Sequence, residues 1–186
     1  MATATKTIVN GIDTEAVRNL VEQVKQDPAN GLTQWKVATQ WKGGTRVDTH
    51  VSEFGIGDKC VKRDFRMSID EPLELGGTNQ FANPQEHLFG AMNACIMITY
   101  ASVCALEGIE LEDLRIETEG NIDLRGLFAL DPDVKAGYDE IRYKVHIKGD
   151  ATPEQFQKVH ETVLATSPNF YNMANAIPMK PELVVE

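Results

Sequence analysis

Basic side chains are in short supply in this sequence. Among its 186 residues, 18 are lysine or arginine and 28 are aspartate or glutamate, which gives a net charge of −10. Proteins that bind nucleic acid or an anionic membrane surface draw much of their affinity from clustered basic residues. We therefore expect neither of these partners. The hydrophobic share of 42% is that of a folded globular chain rather than a disordered one.

Cysteine is scarce as well, and the three cysteines are Cys60, Cys95 and Cys104. They are too few and too widely spaced for a disulfide framework. The N-terminal residues lack the long apolar core of a secretory signal peptide, so we expect a cytoplasmic location. In that reducing compartment a cysteine of functional importance is reactive rather than cross-linked.

Several motifs are missing altogether. The sequence has no CxxC, no HExxH and no paired histidines, so we expect no metal site. The four histidines stand singly on predicted elements and are explained as ordinary surface or core residues. No GxGxxG or Walker glycine loop is present, so we expect no nucleotide or other cofactor.

The hydrophobic periodicity predicts elements in the order α, β-β-β, α, β-β, α, β. Runs of antiparallel strands separated by helices indicate the α+β class, and no repeat or low-complexity linker divides the chain. The predicted helices are residues 13–26, 84–107 and 152–165, and the predicted strands lie within residues 34–55, 60–70, 112–124 and 138–148, followed by an edge strand in the tail.

The second predicted helix contains a long uncharged run, with no lysine, arginine or aspartate between Glu86 and Glu107. A run of about 20 such residues has the length of a membrane span. However, polar residues interrupt it and no neighbouring span exists to pair with it, which favours a helix buried at the centre of a globular fold. Asn83, Pro84 and Glu86 together form a strong helix-start signal, and we expect the helix to end at Gly108.

The cysteines differ in their sequence context. Cys60 opens a predicted strand among lysines, which lower the pKa of a thiol when they lie near it. Cys104, late in the helix, is explained as a small hydrophobic residue. Taken alone, Cys95 is explained as core filling, because free cysteine is among the most buried residue types.

A resemblance changes this interpretation of Cys95. The segment DEPLELGGTNQFANPQEHLFGAMNACIM, followed about 70 residues later by TSPNFYNMANAIP, resembles the OsmC/Ohr family (osmotically inducible protein C and organic hydroperoxide resistance protein). The resemblance covers residues 34–186 and leaves 1–33 as an N-terminal helical extension. It implies an α+β fold with antiparallel sheets around a buried central helix, in an intertwined homodimer. It also implies an antioxidant activity, in which a peroxidatic cysteine reduces organic hydroperoxides and a thiol is the final reductant.

The resemblance assigns roles to individual residues. Cys95 falls on the peroxidatic cysteine, Arg46 on the arginine that pairs with the thiolate, and Glu86 on the helix-start glutamate that would orient Arg46. The family has a second cysteine in a Cys-Pro pair near the C-terminus. Here that pair is Ser167-Pro168, so the usual resolving thiol is absent.

Helix geometry adds one inference about these residues. Glu86 and Cys95 are nine residues apart, which in a straight helix means ~13.5 Å along the axis and opposite faces. If they act together, Glu86 must come from the other subunit. Cys104 lies equally far from Cys95, and the two cannot form a disulfide within one helix, because a disulfide requires Cα atoms within ~7 Å. Cys60 stays open as a resolving thiol, although no sequence feature supports it.

The leading hypothesis is therefore an OsmC-like, thiol-dependent peroxidase whose cysteine is regenerated by an external thiol. The apolar neighbours of Cys95 suit an organic hydroperoxide better than hydrogen peroxide. A non-enzymatic dimer that binds a small apolar ligand or senses oxidation is the alternative, and the serine at position 167 favours it. A third option is a thiol-based transferase or hydrolase that uses Cys95 with a histidine, although His87 lies about 80° from the cysteine on the helix.

Overall fold

A computed structural model describes residues 7–186, which form two compact units. Of the described residues, the first unit contains 7–8 and 13–90 and the second contains 9–12 and 91–186. In chain order the helices and strands are β1 (Ile8–Val9), β2 (Ile12–Asp13), α1 (Thr14–Gln26), β3 (Thr33–Trp35), β4 (Ala38–Gly43), β5 (Arg46–Ile56), β6 (Lys59–Ile69), α2 (Pro84–Glu107), β7 (Leu111–Gly120), α3 (Leu124–Leu127), β8 (Ile141–Gly149), α4 (Pro153–Thr166) and α5 (Pro168–Ala174). Within residues 7–186, β3 to β6 form a four-stranded antiparallel sheet, β7 and β8 an antiparallel pair, and β1 and β2 a short pair. The predicted α+β class is confirmed.

The short hairpin of β1 and β2 was not predicted, because two-residue strands carry no periodicity. Its turn is Asn10-Gly11, with φ of 52° and 75°, the left-handed pair that tight hairpins require. The side chain of Asn10 then binds the start of β7. Its Nδ2 donates to the carbonyl of Ile109 at 2.9 Å, and its Oδ1 accepts from the amide of Leu111 at 2.8 Å.

The sheet of the first unit is built on β5, which pairs with β3 and β4 along one edge and with β6 along the other. The sequence predicted one strand where β3 and β4 are found. In β3, Trp35 pairs with Phe54 of β5, and in β4, Ala38 pairs with His50 of β5. The two registers differ by one residue, so the predicted strand is interrupted between Trp35 and Ala38. The stacked rings of Trp35 and Phe54, 5.0 Å apart, hold the β3 end.

Asp70, directly after β6, is hydrogen-bonded to the turn that precedes β5 and to the loop that precedes α2. It is 1% exposed and accepts hydrogen bonds from the hydroxyls of Thr45, at 2.6 Å, and Thr78, and from the amide of Thr78 at 3.0 Å. These hydrogen bonds, those of the two hydroxyls being the strongest, hold the pKa of Asp70 well below its usual range. Because Thr45 directly precedes Arg46, the network also fixes the start of β5.

Helix α2 begins and ends where the sequence predicts. The amide of Asn83 donates to Glu86 Oε2 at 2.7 Å, and the amide of Glu86 donates to Asn83 Oδ1 at 2.9 Å, so a capping box starts the helix. Gly108, at φ 75°, ends it, and the amide of Ile109 donates back to the carbonyl of Cys104 at 2.8 Å. Among the described residues, α2 is the one helix with the length and composition to cross a membrane, a test that core helices of soluble proteins also pass.

The second unit has its own apolar core. Residues of α2 at four-residue spacing pack against Val159 and Val163 of α4, and both β7 and β8 cover this cluster with partly buried side chains. Burying a stripe at this spacing is how an amphipathic helix contributes to a core. The stripe consists of Met92, Ile96, Tyr100 and Cys104.

The end of the chain departs from the prediction. Helix α4 has the expected capping box between Thr152 and Gln155, but it is followed at once by the unpredicted helix α5. Seven residues are too few for the periodicity to be recognised, although Ser167 before Pro168 is a helix-start signal. The tail after Ala174 forms no strand in this chain, so the predicted edge strand is wrong for the single chain. Leu127, the last residue of α3, and the loop residues Phe128 and Leu130 are exposed.

Candidate functional site

Cys95 lies in the middle of α2, beside the buried stripe and half-buried itself. Its carbonyl accepts a hydrogen bond from the hydroxyl of Thr99 at 2.8 Å. Its sulfur accepts one from the hydroxyl of Ser167, with Oγ and Sγ 3.7 Å apart. Residues 72 positions apart in the sequence thus meet, and the serine lies where the resemblance places a resolving cysteine.

The junction of α4 and α5 brings Ser167 to this place. The amide of Ser167 donates to the carbonyl of Val163 at 2.8 Å, which closes the last turn of α4. Two residues later, Asn169 Nδ2 donates to the carbonyl of Ala91 at 3.0 Å. In an α-helix that carbonyl also accepts from the amide of Cys95. The start of α5 is therefore bound to the helical turn that carries Cys95.

The other two cysteines lie in different surroundings. Cys104 is fully buried, and burial, with a smaller effect from the charge of Asp150, raises the pKa of its thiol to about 11. Cys60 is exposed, and its thiol donates to Glu53 Oε2 at 3.5 Å. Lys62 binds the same carboxylate, and its hydrogen bond is the main reason that the pKa of Glu53 is lowered. All three cysteines are free.

Arg46 is held at the first position of β5. Its guanidinium lies 4.9 Å from the centre of the Phe81 ring, and Nη2 is 3.7 Å from Asp48 Oδ1. Its Nε is buried and has no hydrogen-bond partner among residues 7–186. A buried donor without an acceptor is costly, so this atom is available for an anionic or polar acceptor.

Glu86 is occupied with the start of α2, where its carboxylate accepts from the Asn83 amide. It belongs to the first unit, as Arg46 does, whereas Cys95 belongs to the second. The structure brings Cys95 together with Ser167 and Asn169. The set of Cys95, Arg46 and Glu86 stays a prediction.

A second polar pair in this unit was missed by the sequence analysis. The hydroxyl of Tyr100 is in short contact with His160 Nδ1. Burial, with a smaller effect from Tyr143, raises the pKa of Tyr100 to about 12, so its hydroxyl stays protonated at neutral pH. The pair borders an open groove of about 750 Å³ whose walls include Tyr143, Phe156 and Phe170. No periodicity or motif signals this pairing, because its partners lie 60 residues apart.

Comparison with known proteins identifies the class. Residues 77–182, more than half of the chain, match the family of OsmC-like proteins. The chain belongs to this family, which confirms the resemblance stated above.

Individual relatives agree with this assignment. The chain is 34% identical over 97 residues to the uncharacterized protein YmaD of Bacillus subtilis (strain 168), a match that covers 50% of this chain and 59% of that protein. The match therefore spans less than two thirds of the length of this curated relative. Among solved structures, an OsmC-like protein from Mycoplasma pneumoniae superposes with a TM-score of 0.58 at 13% identity, covering 76% of this chain and 87% of the other. An OsmC-like protein of unknown function from Vibrio cholerae gives 0.53 at 14% identity, covering 75% and 92%. These two structures show the shared fold.

Proposed function

We propose that this protein is a thiol-dependent peroxidase that reduces organic hydroperoxides through Cys95. The observation that carries the proposal is a free, half-buried cysteine on the central helix of an OsmC-like chain, with a hydroxyl directed at its sulfur. Buried Cys104 is unsuited to this role because its raised pKa keeps it a neutral thiol at neutral pH. Three free cysteines suit a reducing compartment, and we include a cytoplasmic location in the proposal.

The chemistry balances with a thiol as the only co-reactant. The Cys95 thiolate attacks the outer oxygen of the hydroperoxide, an S–O bond forms as the O–O bond breaks, and the alkoxide that leaves takes a proton to become an alcohol. Sulfur is oxidised by two electrons to a sulfenic acid. An external thiol then displaces water to give a mixed disulfide, and a second thiol releases the Cys95 thiol and a disulfide of the reductant.

Arg46 is the proposed cation of this site, and Glu86 the residue that orients it. A guanidinium close to the sulfur favours the thiolate and stabilises the charge that develops on the departing oxygen. The unpartnered, buried Nε of Arg46 supports this role, because it is a donor that lacks an acceptor among the described residues. Glu86 and Cys95 lie on opposite faces of α2, which requires a second subunit to supply Glu86.

A homodimer is therefore part of the proposal. Large apolar side chains are exposed on one face of the first unit's sheet, including Trp41 at 69% and Phe65 at 56%. Contiguous exposed apolar side chains mark interaction surfaces. We expect light scattering to give the mass of two chains. Phe65→Lys is expected to shift the protein to monomer, whereas Phe128→Lys, an equally exposed phenylalanine in the loop before β8, leaves the dimer intact.

The decisive experiment measures consumption of cumene hydroperoxide in the presence of a dithiol. The unchanged protein is expected to turn over, Cys95→Ser to fall to the background rate, and Cys104→Ala to keep its activity. Equal, negligible turnover in the unchanged protein and in Cys95→Ser would falsify the peroxidase proposal.

The open groove beside Tyr100 and His160 supports a second candidate, a protein that binds a small apolar ligand without turnover. Its volume of about 750 Å³ and its aromatic walls suit such a molecule. Fluorescence of anilinonaphthalene sulfonate measures occupancy directly. If ligand binding is the function, Gln157→Trp at the rim weakens binding, Cys95→Ser leaves it unchanged, and neither protein consumes peroxide.

A further inference from the structure

Ser167 does not use its side chain in the way its position suggests. It precedes the first residue of α5, where a serine hydroxyl ordinarily accepts a hydrogen bond from a backbone amide of the first turn. Here the side chain makes no such bond. The hydroxyl instead donates to Cys95 Sγ at 3.7 Å, and Ser167 is 1% exposed, so water does not replace this partner.

The charge on the acceptor decides the strength of that hydrogen bond. A hydrogen bond to an ionised acceptor is roughly twice as strong as one between neutral groups. The Ser167 hydroxyl therefore favours the thiolate of Cys95 over its thiol. Serine can also accept a hydrogen bond, so the same oxygen remains a partner after the sulfur has gained a hydroxyl as sulfenic acid.

A second contact fixes the distance between serine and cysteine. Asn169 Nδ2 donates to the carbonyl of Ala91, one helical turn before Cys95. Because Asn169 is two residues from Ser167, this bond holds the start of α5 against α2. The position of the hydroxyl is thus maintained by a contact outside the serine itself.

We propose that Ser167 is the positioning residue of Cys95, through a hydrogen bond to its sulfur that favours the thiolate before oxidation and binds the sulfenic acid afterwards. The inference rests on the proposed peroxidase function. A hydroxyl cannot form a disulfide, so position 167 supplies no thiol to capture the sulfenic acid, and Cys104, nine residues along α2, is too far away to do so. The next reaction of the sulfenic acid is therefore with an external thiol, which forms an S–S bond to Cys95 and releases water. The mixed disulfide with that thiol, rather than a disulfide within the chain, is the intermediate of the cycle.

The first test uses alkylation, which needs no peroxide activity. In a Cys60→Ala/Cys104→Ala background, iodoacetamide reports the thiolate of Cys95 as a function of pH. Ser167→Ala is expected to slow alkylation at neutral pH about tenfold and to displace the rate profile to higher pH. Ser167→Thr, which keeps the hydroxyl, restores both. Circular dichroism checks that each variant is folded. A profile that is the same for serine and alanine overturns the proposal.

The second test restores the missing thiol. After one equivalent of cumene hydroperoxide, the unchanged protein is expected to be trapped by dimedone at Cys95. Ser167→Cys is expected to lose two hydrogen atoms instead, as an internal disulfide that peptide mapping assigns to positions 95 and 167. An internal disulfide in the unchanged protein contradicts the proposed cycle. If alkylation depends on Ser167 but peroxide never oxidises Cys95, the peroxidase function fails while the hydrogen bond to the thiolate stands.

Discussion

Cys95 and Cys104 lie on the same helix, nine residues apart, and yet their surroundings differ in kind. Cys104 is fully buried in the apolar core, where burial raises the pKa of its thiol to about 11. Cys95 is half-buried, and its sulfur accepts a hydrogen bond from the hydroxyl of Ser167 at the junction of α4 and α5. Both cysteines lie within α2, so the difference in their surroundings comes from the elements that pack against the helix. A cysteine in this helix is inert or reactive according to the polarity of its neighbours.

The largest expected effect is a contrast in alkylation rate between the two thiols. A thiol with a pKa of about 11 is ionised to about one part in a thousand at pH 8. Cys104 is therefore expected to react with iodoacetamide at least about a hundredfold more slowly than Cys95 at this pH. Cys104 is also fully buried, so its alkylation requires local opening of the core, which slows it further. Peptide mapping of folded protein measures both rates, and comparable rates at pH 8 would end the distinction between the two sites.

Arg46→Ala tests whether a cation adds to the difference. If Arg46 supports the Cys95 thiolate and the departing oxygen, its loss slows oxidation of Cys95 by cumene hydroperoxide about a hundredfold. Dimedone trapping over time measures this rate. The matched control is Arg63→Ala. Like Arg46, Arg63 lies over a phenylalanine ring, with its guanidinium 5.0 Å from the centre of the Phe54 ring. Equal rates in both variants would remove Arg46 from the site.

The sequence predicted most of the fold because the long elements carry their own signals. Periodicity and two capping boxes predicted α2 and α4, and the Gly43-Gly44 dipeptide predicted the β4–β5 hairpin, whose turn residues are Gly44 and Thr45. Where prediction failed, the signal was short or non-local. Helix α5 has seven residues, and the break between β3 and β4 is a one-residue change in pairing with β5.

The candidate site was less accessible from the sequence. Helix periodicity placed Cys95 on α2, but its interpretation as a nucleophile came from family resemblance. The same resemblance marked position 167, yet nothing in the local sequence says that this serine leaves its own helix uncapped and donates to a sulfur. Such a contact depends on the packing of α5 against α2. The unpartnered Nε of Arg46 likewise depends on tertiary structure.

Replacing each cysteine by serine extends the comparison to stability. Cys104→Ser places a hydroxyl in the apolar core, which is expected to cost about 1–3 kcal/mol of unfolding free energy. Cys95→Ser, in half-polar surroundings, is expected to cost less than about 0.5 kcal/mol. Urea unfolding measures both, and equal losses would contradict the assigned environments.

The raised pKa of Cys104 also predicts a dependence of stability on pH. Folding holds the proton more tightly than the unfolded chain does, so this stabilisation is complete below the ordinary thiol value of 9.0 and is lost as pH rises toward about 11. The unchanged protein should therefore lose more stability across this range than Cys104→Ala. Parallel unfolding measurements at several pH values give the difference.

The smallest expected effects distinguish two roles of Glu86. One is its observed role in the capping box of α2, and the other is its proposed role at the Cys95 site. Asn83→Ala removes the side chain that accepts from the Glu86 amide and is expected to destabilise the protein by about 1 kcal/mol. Glu86→Gln keeps an acceptor for the Asn83 amide, since glutamine also completes a capping box, so stability should change by less than about 0.5 kcal/mol. Its lost charge, however, would weaken the orientation of Arg46 and slow peroxide reduction severalfold. If turnover is unchanged in Glu86→Gln, the glutamate serves the start of α2 and has no part in the chemistry that distinguishes Cys95 from Cys104.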